Sequence, residues 1–393
     1  MSDAGVRSGW AIAVEGELIV ACGPQEELLR QFSSARHVNC AGRVITPGLV
    51  DSHTHSVFGR PRYEEQELRA AGAGYMEIAR RGGGIHSSVA DLRARSEDEL
   101  FDLTLGRVAR LASYGSTTIE MKSGYGLSLD DELKSLRVIQ RVGEASPVRV
   151  VPTWLGAHEI PMEYRERGRS RAEYVDLLIE EILPVVVSKR LAIFADVFCE
   201  PGVFTVDETR RILSASRASG LSLKLHADEL EPHGGAELAA ELKAVSADHL
   251  GAISDAGVRT LAGAATVATL LPGTMLFLGR SRQAPARKLI DSGAAVALAT
   301  DFNPGTSPTV NFPLIMTLGV SELHMSAGET LVAATVNGAA ALGLAATVGQ
   351  IAAGYSADLA IFDAHDFREI PYWYGDRRCM ATWARGKPCH AHD

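Results

Sequence analysis

The stretch Val44-Ile45-Thr46-Pro47-Gly48-Leu49-Val50-Asp51-Ser52-His53-Thr54-His55 is a short apolar run that ends in titratable side chains. Valine, isoleucine and threonine favour extended backbone, so the run reads as a strand over residues 44–55. Residues two apart on a strand project to one face, which sends His53 and His55 the same way. Two imidazoles held like that are half of a zinc or iron site. A pair of hydrogen-bonded core histidines would look the same, so the rest of the chain must decide.

Downstream the pattern recurs. Apolar runs at 117–122, 149–158, 192–200, 222–229, 244–249, 266–272 and 294–301 alternate with stretches of helical period such as 130–144, 173–187, 206–219, 235–243 and 285–292. Strands joined by helices pair in parallel. About eight such units close as a (β/α)8 TIM-like barrel, with an open doubly wound sheet as the other arrangement. The barrel is favoured because Lys122, His158, Glu200, His226, His249 and Asp301 stand at the ends of these runs, where barrel enzymes gather their chemistry.

The flanks read differently. A β-like stretch at 10–22 and strand candidates at 357–362 and 379–385 are too short to bury a core alone, so both termini are expected to build one small β-sandwich domain. The expected partition is residues 1–46 together with 346–393 for that domain and 47–345 for the barrel. A helical segment at 329–344 should close the barrel before the chain returns.

Composition limits the function. With 393 residues, 46% hydrophobic and 22% charged, the chain can bury a large core. Its net charge of −9 offers no general attraction to phosphate backbones or anionic lipid, so neither nucleic acid nor membrane is an expected partner. The basic run Arg165, Arg167, Arg169, Arg171 reads as a solvated loop face. Uncharged runs at 260–279 and 330–357 are broken by glycine, proline and asparagine and read as buried helices, a strand and loops. Five cysteines without a CxxC pair do not resemble a disulfide framework, and residues 1–10 lack an export signal, so a cytoplasmic location is expected.

His53, His55, His226 and Asp301 supply three imidazoles and a carboxylate, a shell for a catalytic metal with one open position. His249 is then a base facing substrate or supporting a ligand. The fourth run ends in Phe198-Cys199-Glu200, without a lysine for a carbamate bridge, which argues for one metal ion. Cys199 reads as a small buried apolar residue, and Lys122 as an ion-paired or loop-anchoring residue.

The order HxH, His, His, Asp on successive strand ends, flanked by a terminal β domain, resembles the amidohydrolase superfamily. More specific words are Gly82-Gly83-Gly84-Ile85, Lys122-Ser123-Gly124-Tyr125-Gly126-Leu127, Leu155-Gly156-Ala157-His158, His226-Ala227-Asp228-Glu229 and Asp301-Phe302-Asn303-Pro304-Gly305-Thr306. From about residue 44 to 344 they resemble the branch that hydrolyses 4-imidazolone-5-propanoate to N-formimidoyl-L-glutamate in histidine degradation. The resemblance implies metal ligation by His53, His55, His226 and Asp301, with zinc or iron as the ion. It also implies substrate or product contacts from Arg62, Tyr125, His158, Glu229, Asn303, Gly305 and Thr306, and a homodimer.

The chemistry fits such a substrate. A planar arginine is the natural clamp for a carboxylate tail, and Arg62 competes for that task with Arg60. Ring opening needs water at the lactam carbonyl and a proton at the departing nitrogen, for which Asp301, His249 and Glu229 are the catalytic candidates. Glu229 could instead orient His226 or His249, as carboxylates beside metal-bound histidines do. The glycine triplet lacks the lysine of a phosphate loop and reads as a tight loop near the substrate. Another cyclic amidohydrolase, a deaminase, or a silent barrel used for binding or assembly are the alternatives.

Overall fold

The computed structural model describes residues 4–73, 83–165 and 169–391, so Gly82 of the glycine triplet and Arg167 of the basic run lie outside the described residues. A hairpin of β1 (Trp10–Glu15) and β2 (Leu18–Pro24) comes first, followed by β3 (Val44–Pro47). Eight barrel strands follow: β4 (Leu49–Asp51), β5 (Ser116–Lys122), β6 (Arg149–Ala157), β7 (Phe194–Cys199), β8 (Ser222–Ala227), β9 (Ser246–His249), β10 (Val267–Leu270) and β11 (Val296–Leu298). The chain ends with β12 (Leu359–Phe362), β13 (Cys379–Ala384) and β14 (Lys387–Ala391).

Strands β4 to β11 pair in sequence order, all in parallel. Just beyond them, a parallel bridge between Thr54 and Phe302 joins the first strand to the last. The amide of His55 donates to the carbonyl of Phe302 at 2.9 Å, and that of Asp301 to His53 at 3.1 Å. The sheet therefore closes at the residues that carry the chemistry, and the doubly wound alternative is excluded. Every residue of β5, β7, β9 and β10 is buried, as expected for parallel strands covered by helices outside and by packed side chains inside.

The run at 44–55 is two strands. Its first half, β3, pairs antiparallel with β12 in a four-stranded sheet of order β14-β13-β12-β3, while β4 belongs to the barrel. The break falls at Gly48, whose amide donates to Asp358 at 2.8 Å and where a Cβ would lie 2.0 Å from the Thr117 hydroxyl. The helix expected at 329–344 is also divided, into Ala327–Ala333 and Val336–Ala340. Between them the carbonyl of Ala334 accepts from the amide of Val50 at 2.8 Å, so the barrel wall takes an acceptor from the helical path. The eighth strand is shorter than expected, ending at Leu298, and the backbone turns left-handed beyond it at Asp301, φ 51°. Among the described residues no helix is long and apolar enough to cross a membrane.

Candidate metal centre and active site

At the carboxyl end of the barrel, His53 and His55 follow β4, His226 lies on β8, and Asp301 follows β11. His53 Nε2 stands 3.3 Å from His55 Nε2, which is 3.4 Å from His226 Nε2. Asp301 Oδ1 lies 3.6 Å from His53 Nε2 and 3.5 Å from His55 Nε2. All four side chains are buried. Ligands about 2.1 Å from a tetrahedral ion stand roughly 3.4 Å apart, so these spacings fit the edges of one coordination shell.

The protonation pattern agrees. His53 Nδ1 lies 2.7 Å from Asp248 Oδ2, and His226 Nδ1 is 2.9 Å from Asp196 Oδ2. A carboxylate partner keeps the proton on Nδ1, which leaves Nε2 as a lone pair aimed inward. His53 and His55 are held well below the ordinary imidazole range, first by burial and then by neighbouring cationic or imidazole groups, Lys122 for His53 and His158 for His55. Inward lone pairs at such separations repel one another unless a cation lies between them. His158 and His249 extend the cluster: the donors of His55, His158 and His226, and those of His53, His226 and His249, also lie within 4.8 Å of one another.

Beneath the histidines lies a layer that sequence reading missed apart from Lys122. Lys122 Nζ is 2.9 Å from Glu120 Oε1 and 2.7 Å from Asp196 Oδ2. Lys224 Nζ is 3.4 Å from Asp248 Oδ2 and donates to the carbonyl of Ser52 at 3.1 Å. All five side chains are buried. Burial works against its ionisation, yet the His226 ring and the Lys122 ammonium hold the Asp196 carboxyl well below its usual range. Likewise Asp196, Glu120 and Asp248 raise the Lys122 ammonium against burial. The signal was present in charged residues inside apolar strands, Ile119-Glu120-Met121-Lys122, Ala195-Asp196-Val197 and Leu223-Lys224-Leu225, spaced for the inward face.

A cavity opens above the centre, lined by His55, Arg62, Tyr125, His158, His226, Glu229, His249, Asp301, Asn303 and Thr306 among others. Arg62 and Arg60 are distinguished here. Arg62 is buried, with Nη1 donating to Ser88 Oγ at 3.0 Å and Nε 3.1 Å from Glu65. Arg60 is half exposed and pairs with Glu64 at 2.6 Å, away from the cavity. Gly305 packs behind Arg62, where a Cβ would lie 1.7 Å from Nη2.

Asn303 lines the cavity, but its carboxamide is engaged by its own loop: Nδ2 donates to the Asp301 carbonyl at 2.7 Å, and Oδ1 accepts from the amides of Gly305 and Thr306 at 2.8 and 2.7 Å. His158 stacks on His55 with ring centroids 4.9 Å apart, and its Nδ1 lies 2.9 Å from the carbonyl of Gly124. Tyr125 is buried 5.3 Å, centroid to centroid, from His158.

The acids differ in setting. Asp301 is raised to about 6 by burial, with Oδ2 accepting from the Thr274 hydroxyl at 2.5 Å. Glu229 is raised well above the carboxylate range, first by burial and then by Asp301 and Glu200, and its Oε2 lies 3.7 Å from His249 Nε2. His226 and His53 are oriented by Asp196 and Asp248, so Glu229 is left facing His249 and the cavity. Such a pair of acids beside a potential metal shell suits hydrolysis of a small polar molecule.

Residues 44–388 match the model of the amidohydrolase family. A protein of Geobacillus kaustophilus named imidazolonepropionase is 47% identical over 98% of this chain and 91% of its own length. One of the same name from Symbiobacterium thermophilum is 49% identical over 95% of this chain and 88% of that protein. Among solved structures, a Xanthomonas campestris adenosine deaminase with bound zinc superposes with a TM-score of 0.74 at 20% identity, covering 97% of this chain and 88% of that one.

Proposed function

Because the chain belongs to the amidohydrolase family and, within it, to the imidazolonepropionases, we propose that it hydrolyses 4-imidazolone-5-propanoate to N-formimidoyl-L-glutamate in histidine degradation. The observation that carries the reading is the convergence of His53, His55, His226 and Asp301 beneath a cavity that also holds a buried arginine. The same donor set supports one metal ion, zinc or iron, as the resident cofactor. Bound there, the ion would lower the pKa of a water toward about 7 and polarise the lactam carbonyl.

The chain's own residues would do the rest. Arg62, already oriented by Glu65 and Ser88, takes the substrate carboxylate, with Tyr125 and Thr306 beside it. His158 packs against the ring. Asp301, its outer oxygen fixed by Thr274, accepts a proton from the attacking water. The C–N bond of the lactam breaks as oxygen bonds to carbon, and the departing nitrogen takes a proton. Glu229 is suited to that delivery because burial keeps its carboxyl protonated beyond the ordinary range. His249 donates to the carbonyl oxygen as charge develops there. Asn303 and Gly305 shape the loop against which product rests. A cytoplasmic setting, with the cysteines reduced, and a homodimer complete the proposal.

A substrate panel tests the reading. The metal-loaded protein should turn over 4-imidazolone-5-propanoate, followed as loss of ring absorbance, and leave adenosine, guanine, 5-methylcytosine and hydantoins untouched. Turnover of a purine or pyrimidine in place of the imidazolone would assign another amidohydrolase activity. A metal-loaded protein inert toward the whole panel would point to a silent barrel.

A further inference from the structure

Glu200, at the end of β7, is a buried acid for which the proposed reaction has no use. It does not line the cavity. Instead its carboxylate turns to the loop after β8: Oε2 accepts the amides of Glu229 and Leu230 at 3.1 and 3.4 Å, and Oε1 accepts that of Glu231 at 2.8 Å. The other end of the loop hangs from Asp228, whose Oδ1 accepts the amides of His233 and Gly234 at 2.7 and 2.9 Å. Glu229 thus sits between two carboxylate anchors, directly after a residue in left-handed backbone, Asp228 at φ 48°.

The arrangement is costly. Burying Glu200 near Asp228 brings like charges together away from water. Apolar packing would avoid that cost but would leave three backbone donors without their acceptor. Only a carboxylate offers two acceptor atoms and no donor, which is what three converging amides require.

We propose that Glu200 is a positioning residue: through the amides of residues 229–231 it sets where the Glu229 carboxyl stands relative to His249 and Asp301. The inference rests on the reading of Glu229 as a proton carrier. Glu200 does not touch substrate; it acts through the backbone of its neighbour strand's loop.

A double-mutant cycle tests it, using steady-state kinetics with metal content and melting temperature measured alongside. Glu200→Gln turns an amino group toward at least one of the loop amides. It should lower kcat about tenfold with KM changed less than about threefold, since displacement of an active group falls on the chemical step. Glu229→Gln should lower kcat further, and the double variant should be within about twofold of Glu229→Gln alone, because coupled residues do not add. Glu200→Asp, which keeps the charge and shortens the reach, should show the same non-additivity if the Gln variant folds poorly. A Glu200 effect that multiplies in full onto Glu229→Gln, or that follows metal loss, would overturn the inference while leaving Glu229 in its role. A fully active Glu229→Gln enzyme would remove that role and the inference with it.

Discussion

Gly305 shows how tightly the cavity residues depend on one another. It has no side chain because the Arg62 guanidinium occupies that space, 1.7 Å from where a Cβ would be. Gly305→Ala should push the guanidinium aside and cost a charge-assisted contact of about 1.5–3 kcal/mol, about ten- to a hundredfold in KM with a smaller change in kcat. Steady-state kinetics on 4-imidazolone-5-propanoate checks this, and an unchanged KM would show that Arg62 does not hold the carboxylate. At this scale the sequence was informative where spacing was local. His53 and His55 two apart, and the histidine and aspartate ending their strands, needed only strand periodicity. Asp196 and Asp248 were not legible as partners of His226 and His53. Which inward side chains meet at one depth depends on the stagger of strands far apart in the chain, which no local pattern records.

Strands β5, β7, β8 and β9 meet through the buried layer of Glu120, Lys122, Asp196, Lys224 and Asp248. Removing one member of a buried ionic set leaves the others uncompensated, typically at 3–5 kcal/mol. Lys122→Met should therefore destabilise the protein by about that amount, seen as a lowered denaturation midpoint, because Glu120 and Asp196 lose a partner at 2.9 and 2.7 Å. An unchanged midpoint would mean that the layer is not a structural element of the barrel. The alternation of strands and helices was readable, since apolar periodicity is set locally. The division of residues 44–55 was not: Gly48 turns there because Asp358 and Thr117, distant in sequence, demand it. The interruption near Thr335 has the same origin, in the amide of Val50.

For the whole molecule, we propose the partition expected from sequence, residues 1–46 with 346–393 against 47–345, as two units that do not fold independently. Ala360, Phe362 and Cys379 share one apolar cluster with Leu49 and Leu111 of the barrel unit. Thr382 Oγ1 donates to the Ala112 carbonyl at 3.2 Å, and the Arg385 guanidinium to that of Pro147 at 3.0 Å. A chain truncated after residue 345 should be insoluble or melt well below the full chain, and an unchanged melt would contradict this dependence. The net charge of −9, which argues against phosphate-bearing partners, also works against an anionic substrate. In the proposed reaction the local field of Arg62 overcomes it. We propose that the converging histidines and Asp301 hold an ion essential for opening the imidazolone ring. The ring chromophore is followed before chelation, after chelation and after return of zinc or ferrous iron. Turnover should be lost with the metal and recovered on readdition; full activity in protein shown to be metal-free would mean that the ring opens without an ion.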